Sequence, residues 1–222
     1  MAPAKNINFG ILCIEYQAID VAGPMDILFN ASHQVISQYA QIGVVPQGIV
    51  EKASPITFHH VGETLDPVPL TGNMKIVPST TCDTCPELDY LLIGGPRPTD
   101  QLSPTFTKFV QEHVAAGRGL FTTCTGAMAI GNTGVLDGKN ATVNHELLEL
   151  GKTMYPKVHW TKAKQWVVDG NIWTSGGACA GMDMIAHWVE QTFGKEVAGV
   201  AYRMLDFEAR DVDGKRTLRA EN

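Results

Sequence analysis

The feature that most constrains this chain is a rhythm. Short apolar runs, too brief to be helices, alternate with longer segments of helical period. Asn8–Ile14, Thr57–Val61, Tyr90–Ile93, Gly119–Thr123, Trp166–Val168 and Ile172–Thr174 read as strands, the last two flanking an Asp169-Gly170-Asn171 turn. Ala40–Val45, Ile76–Pro78 and Val158–Thr161 read as shorter ones. Between them, Ile19–Ser32, Pro104–Ala116 and Ala180–Phe193 carry helical patterns. In the second, Phe106, Phe109, Val110 and Val114 fall on one stripe, and the Gly23-Pro24 pair is expected to open the first. Strands alternating with amphipathic helices define an α/β domain.

Composition narrows the class further. The 222 residues are 44% hydrophobic and 18% charged, enough for one domain with a sizeable core and too apolar for a disordered chain. No repeat or linker divides it, so residues 1–222 read as one unit. Its core spans about 8–205, with a polar tail, 209–222, expected to be mobile. Seventeen Lys and Arg against 23 Asp and Glu give a net charge of -6 with no basic run, which argues against a nucleic-acid partner. No apolar stretch reaches the roughly 18–20 residues that a membrane span requires. The opening MAPAKNINFGILCIEY has no secretory pattern, so a cytoplasmic location is expected. Five cysteines, an odd number, argue against a disulfide scaffold and leave room for a reactive thiol.

The strongest local signal is GLFTTCTGAMAIG, a strand running through Cys124 into helix-forming residues. Such a turn lifts the sulfur above the carboxyl ends of the sheet, where open α/β sheets bind ligands. A following helix N-terminus favours a thiolate and can hold an oxyanion, so a lowered thiol pKa is expected. On this run alone, a nucleophile and a buried structural thiol remain equally open. Two further features favour chemistry. Tyr90–Ile93 ends in Gly94-Gly95, which can bring a backbone N–H opposite the sulfur. Asp20 follows the first strand among apolar neighbours, where a carboxyl acquires a raised pKa and can serve as acid or base. The plain alternative for Asp20 is a helix N-cap.

AIDVAGPMDIL, LDYLLIGG, TTCTGAMAIGNTGVLDGKNAT and WTSGGACAGMDM, in this order, resemble the ThiJ/PfpI superfamily over roughly Asn8–Phe193. The resemblance implies a flavodoxin-like three-layer α/β sandwich of the class I glutamine-amidotransferase type, with a mostly parallel central sheet. It also implies a homodimer acting on a small molecule; no G-x-G-x-x-G or P-loop pattern occurs, so chemistry without metal or other cofactor is expected. Asp before x-x-Gly-Pro and Thr after the cysteine are similar to the isocyanide-hydratase branch, in a fungal-type variant. Carried over, Cys124 is the nucleophile and Asp20 handles the proton and water. Thr125 lends its N–H, with that of Gly95, to an oxyanion pocket lined by Gly94 and Gly126. Peptidase-like members carry His after the cysteine; here it is Thr125. Glu15 matches the glyoxalase-type Glu poorly. Bacterial hydratases have Thr-His-Trp where this chain has Val143-Asn144-His145, so Asn144 and His145 are expected to line the pocket. Sensor domains of AraC-type regulators share the pattern, but no DNA-binding module is recognised here.

The implied chemistry is hydration of an isocyanide to an N-substituted formamide. Lyase, isomerase or glyoxalase chemistry on a small carbonyl compound and a non-catalytic redox sensor are the alternatives. Other motifs read as structural. Cys82-Asp83-Thr84-Cys85 precedes a strand and has no second ligand pair for zinc. His145-Glu146-x-x-Glu149 lacks a zincin's second histidine and reads as a helix start. The adjacent His59 and His60 face opposite ways, Asp183 and His187 are expected to pair one turn apart, and the four tryptophans belong mostly to the core.

Overall fold

The computed structural model describes residues 5–217. From the N-terminus come β1 (Ile7–Leu12), α1 (Ile19–Asn30), α2 (His33–Gln41), β2 (Ile56–Gly62), a ribbon of β3 (Val68–Pro69) and β4 (Lys75–Ile76), β5 (Thr80–Thr81) and β6 (Tyr90–Ile93). Next are α3 (Pro104–Ala115), β7 (Gly119–Thr122), α4 (Gly126–Ala129), β8 (Asn140–Ala141), α5 (Leu148–Met154) and β9 (His159–Trp160). β10 (Trp166–Asp169), β11 (Ile172–Ser175), α6 (Ala178–Phe193) and α7 (Lys195–Met204) complete the order.

Seven strands form one sheet in the order β10-β11-β7-β6-β1-β2-β5, parallel except for the β10–β11 hairpin. Successive side chains of a strand face opposite ways, and the central strands use both faces. Phe9, Ile11, Leu92 and Phe121 enter one core beneath α1, α6 and α7, with Trp188 against Tyr90 at 4.8 Å between ring centroids. Leu12, Leu91, Ile93 and Leu120 enter the other, against Phe106 and Val110 of α3 and residues 127–130. The result is the expected three-layer sandwich. Trp160, Trp166 and Trp188 are buried. Among the described residues no helix is long and apolar enough to cross a membrane.

Four local expectations need correction. Ala40–Val45 is not a strand: α2 runs to Gln41 and the chain then turns at Gly43, with φ 75°. Val35, Ile36 and Ala40 form the buried stripe of α2, so the helical period includes the start of what resembled a strand. The first helix opens at Ile19, leaving Pro24 inside it. Asp183 pairs not with His187 but with Arg210, accepting from its backbone N–H (2.9 Å), Nε (2.7 Å) and Nη2 (2.7 Å), while His187 packs on Trp166. That clamp closes the expected mobile tail onto the body: Thr217 N–H donates to Ala209 O, and Gln165 N–H to Val212 O. Residues 218–222 lie outside the described part.

Candidate active site

β7 delivers the chain to the carboxyl edge of the sheet, and Cys124 then turns it with φ 55°, a value that favours glycine. Backbone bonds hold this strained turn from three sides. Cys124 N–H donates to Gly176 O at 2.7 Å, Asn144 N–H donates to Cys124 O at 3.3 Å, and Gly126 N–H returns to Thr123 O at 2.8 Å. Gly126 must lack a side chain, because a Cβ there would lie 2.6 Å from Ile93 O. The sharp strand-to-helix elbow is therefore present, with the sulfur atom's residue only 8% exposed.

Asp20 meets this elbow from the opposite side, in the first turn of α1. It is fully buried and is not the cap of its helix; that position belongs to Ala18. Oδ2 accepts the Gly95 N–H at 2.9 Å, while Oδ1 is buried without a conventional hydrogen-bond partner. Burial raises the Asp20 pKa to about 6, with the Gly95 N–H and the Cys124 thiol pulling the other way. The carboxyl thus has one oxygen tied and one oxygen free in a dry setting. Gly95 is needed at this junction, since a Cβ would come within 2.5 Å of Thr125 Oγ1 and 2.8 Å of Asp20 Oδ2.

The thiol differs from the sequence expectation. Burial pushes the Cys124 pKa up, and the Asp20 charge pushes it the same way, against hydrogen bonding from Asn144 and Thr125. The helix that follows is a single turn, Gly126–Ala129, too short to supply a full macrodipole. The resident form at neutral pH is a thiol beside a carboxyl, two groups that together share one proton. The oxyanion expectation changes as well: the Gly95 N–H is engaged by Asp20, so it is not a free donor beside that of Thr125. Thr125 itself is buried, with its hydroxyl donated to Pro96 O at 2.5 Å.

A better-placed donor comes from Asn144. Its Oδ1 accepts the Glu146 N–H at 3.1 Å, which turns Nδ2 toward Cys124 Sγ at 3.6 Å. His145 lies beside it, with a buried Nε2 that has no partner and faces the Gly176 backbone. The structure therefore brings Asp20, Gly94, Gly95, Cys124, Thr125, Gly126 and Asn144 to one junction, with His145 beside it against Gly176. Sequence reasoning missed the Ser175-Gly176-Gly177 turn, whose Gly176 carbonyl takes the Cys124 N–H. The glycine pair after β11 was the available signal.

A family description, DJ-1/PfpI, matches residues 10–191. The chain belongs to the DJ-1/PfpI family. Among its relatives, isonitrile hydratase of Pseudomonas putida is 28% identical over 210 residues, covering 92% of this chain and 79% of that protein. The HTH-type transcriptional regulator GbdR of Pseudomonas aeruginosa is 29% identical over 139 residues, 62% of this chain but 38% of the regulator. A ThiJ/PfpI family protein from Pseudomonas syringae superimposes with a TM-score of 0.72 at 20% identity, over 94% of this chain and 78% of that one. Drosophila melanogaster DJ-1beta superimposes with a TM-score of 0.69 at 17% identity, over 92% and 98%. In this DJ-1/PfpI chain no hydrogen bond ties the remaining candidates, Glu15, Cys13 and Cys179, to the Cys124 sulfur among the described residues. Glu15 has a 57% exposed side chain, lies 3.6 Å from Arg97, and borders a cleft of about 320 Å³ that reaches Gly95. Cys13 lines a neighbouring groove of about 540 Å³, its thiol pushed up to about 12 by burial, and Cys179 is exposed on α6.

Proposed function

We propose that this chain is a cysteine-dependent hydratase that adds water to an isocyanide, the same functional group as an isonitrile, to give an N-substituted formamide. The observation that carries this reading is the pairing of a strained, buried Cys124 with an Asp20 carboxyl whose Oδ1 is dry and unpaired. The likeness to an isonitrile hydratase over most of both chains supports it.

The reactive form holds one proton between the two groups. As the sulfur attacks, that proton sits on Asp20, which passes it to the terminal carbon of R–N≡C while a C–S bond forms to the same carbon. The product is a thioimidate, R–N=CH–S–Cys124, beside an Asp20 carboxylate. Water then adds: its oxygen bonds to carbon, and the carboxylate relays one of its protons to nitrogen. The C–S bond breaks with its electrons returning to sulfur, the hydroxyl proton returns to Asp20, and R–NH–CHO leaves. Asn144 Nδ2 is placed to steady the departing thiolate. No redox partner enters this balance.

The same reading expects a cytoplasmic homodimer. The test is incubation with an aromatic isocyanide and mass spectrometry of the product, with Cys124→Ala beside wild type. Formamide from wild type alone is expected. Formamide from both removes Cys124 from the reaction. Formamide from neither sends the reading to small carbonyl electrophiles, with a 2-oxoaldehyde as the first probe.

A further inference from the structure

Pro24 stands four residues after Asp20 inside α1, where an ordinary residue would donate its backbone N–H to the Asp20 carbonyl. Proline has no N–H to give, and a buried carbonyl left unpaired is costly. The missing proton comes from 103 residues away: Thr123 Oγ1 donates to Asp20 O at 3.0 Å. Thr123 is fully buried, immediately precedes Cys124, and ties its own N–H to Ile93 O at 3.0 Å. Its methyl group is also fixed, because a Cβ on Gly181 of α6 would come within 2.4 Å of Thr123 Cγ2.

We propose that Thr123 and Pro24 form a positioning pair for the hydration: the proline leaves one helical carbonyl open so that the strand bearing the nucleophile can grip the helix turn bearing the acid. The proposal rests on the reading that Asp20 and Cys124 act together. Neither residue of the pair touches substrate. Their joint effect is to fix the Asp20 backbone against the residue next to Cys124, which leaves Oδ1 little freedom to drift from the sulfur. In an ordinary helix the residue at position 24 would supply a donor of its own, and the Asp20 carbonyl would no longer depend on Thr123.

Thr123→Val keeps the shape and removes the donor. Because a small misplacement of reacting groups costs rate steeply, it is expected to lower kcat for an aromatic isocyanide about tenfold to hundredfold with KM within about twofold. Thr123→Ser is expected to stay within about threefold of wild type, because the hydroxyl remains. In the P24A/T123V double variant the new backbone N–H at position 24 closes the helical bond. Thermal stability should then recover while kcat stays low. Recovery of kcat together with stability would show that Thr123 merely satisfies a carbonyl, and would overturn the proposal. Should T123V fail to fold, the double variant carries the same comparison.

A second measurement needs no substrate: iodoacetamide labelling of Cys124, resolved by peptide mass, from pH 5 to 9. Wild type is expected to show an inflection near the Asp20 value of about 6. It should vanish in Asp20→Asn and move down toward the ordinary carboxylate range in T123V, as the carboxyl leaves its dry position. An inflection that survives in Asp20→Asn defeats the Asp20–Cys124 reading itself. One that vanishes there but is unmoved in T123V defeats only the positioning pair.

Discussion

Asp20→Asn should slow the enzyme and strengthen the fold at the same time. The substitution is nearly isosteric, and the retained carbonyl oxygen can go on accepting the Gly95 N–H that Oδ2 accepts now at 2.9 Å. What disappears is the ionisable group, fully buried and with a pKa raised from 3.8 to about 6. A raised carboxyl pKa means that the folded state holds its proton where the unfolded chain has released it. Stability from this group is therefore greatest below the unfolded value and is lost as pH rises through the folded one. A shift of about two units at 1.36 kcal/mol each amounts to about 3 kcal/mol lost by pH 7.5, of which about half is already lost at pH 5.

The asparagine escapes that loss, less whatever its own unpaired amide hydrogens cost in the same dry position. A net gain of about 1–3 kcal/mol at pH 7.5 is expected, shrinking as pH falls, while the hydration rate drops about 10²- to 10⁴-fold with the loss of the acid. Urea unfolding of both proteins at pH 7.5 and pH 5 reads the stability difference directly. A variant less stable than wild type by the same amount at both values would refute the reasoning. It would mean that the Asp20 carboxylate is not desolvated in the folded chain, and the proton-sharing pair would go with it.

Three further expectations concern the same architecture. If the reactive form holds one proton between Asp20 and Cys124, kcat/KM should be bell-shaped. Its acid limb falls near 6 as the second proton binds, and its alkaline limb lies above the ordinary thiol value of 9.0, the direction in which Cys124 is pushed; a flat profile from pH 5 to 8 counts against it. Gly95→Ala should cost about 1–3 kcal/mol and most of the activity, since its Cβ cannot fit beside Thr125 and Asp20; circular-dichroism melting with a parallel rate assay checks both. Asp183→Ala should cost about 1–2 kcal/mol, less than a fully buried pair because Arg210 can turn to water, and should free the hairpin that follows Ala209. Limited proteolysis should then cut within residues 209–217 while leaving wild type intact.

Much of this fold was legible because the patterns that specify buried strands are local. The runs at Tyr90–Ile93 and Gly119–Thr123 end in glycines or at the cysteine, and those endings mark the carboxyl edge where the site forms. The misread segments have equally physical causes. Ala40–Val45 mixes the end of a helical stripe with a turn of exposed apolar residues, Ile42 and Val44, and composition alone cannot separate them. The Asp183–Arg210 clamp joins residues on separate elements, and no pattern within either announces it. The direction of the Cys124 pKa was also out of reach. It depends on how much water the elbow excludes and on a carboxylate 104 positions away, neither of which local spacing encodes.

The site departs from ordinary local rules at several residues, and the departures meet at one place. A proline sits inside a helix, a cysteine holds a left-handed φ, and a carboxyl is buried with one oxygen unpaired. Each is unfavourable by itself: the proline removes a backbone donor, the cysteine stores strain, and the carboxyl forfeits hydration. In a chain selected for stability alone, single substitutions would relieve each: a non-proline at 24, a glycine at 124, an asparagine at 20. Their convergence is best explained by the geometry they create together, since Thr123 supplies the Asp20 carbonyl with the donor that Pro24 withholds. Cys124→Gly therefore separates strain from function: relief of the left-handed backbone should offset part of the cost of losing the side chain, while turnover ends. A glycine variant that is markedly less stable than Cys124→Ala would show that the elbow is not strained, and would remove one of the three grounds for placing chemistry there.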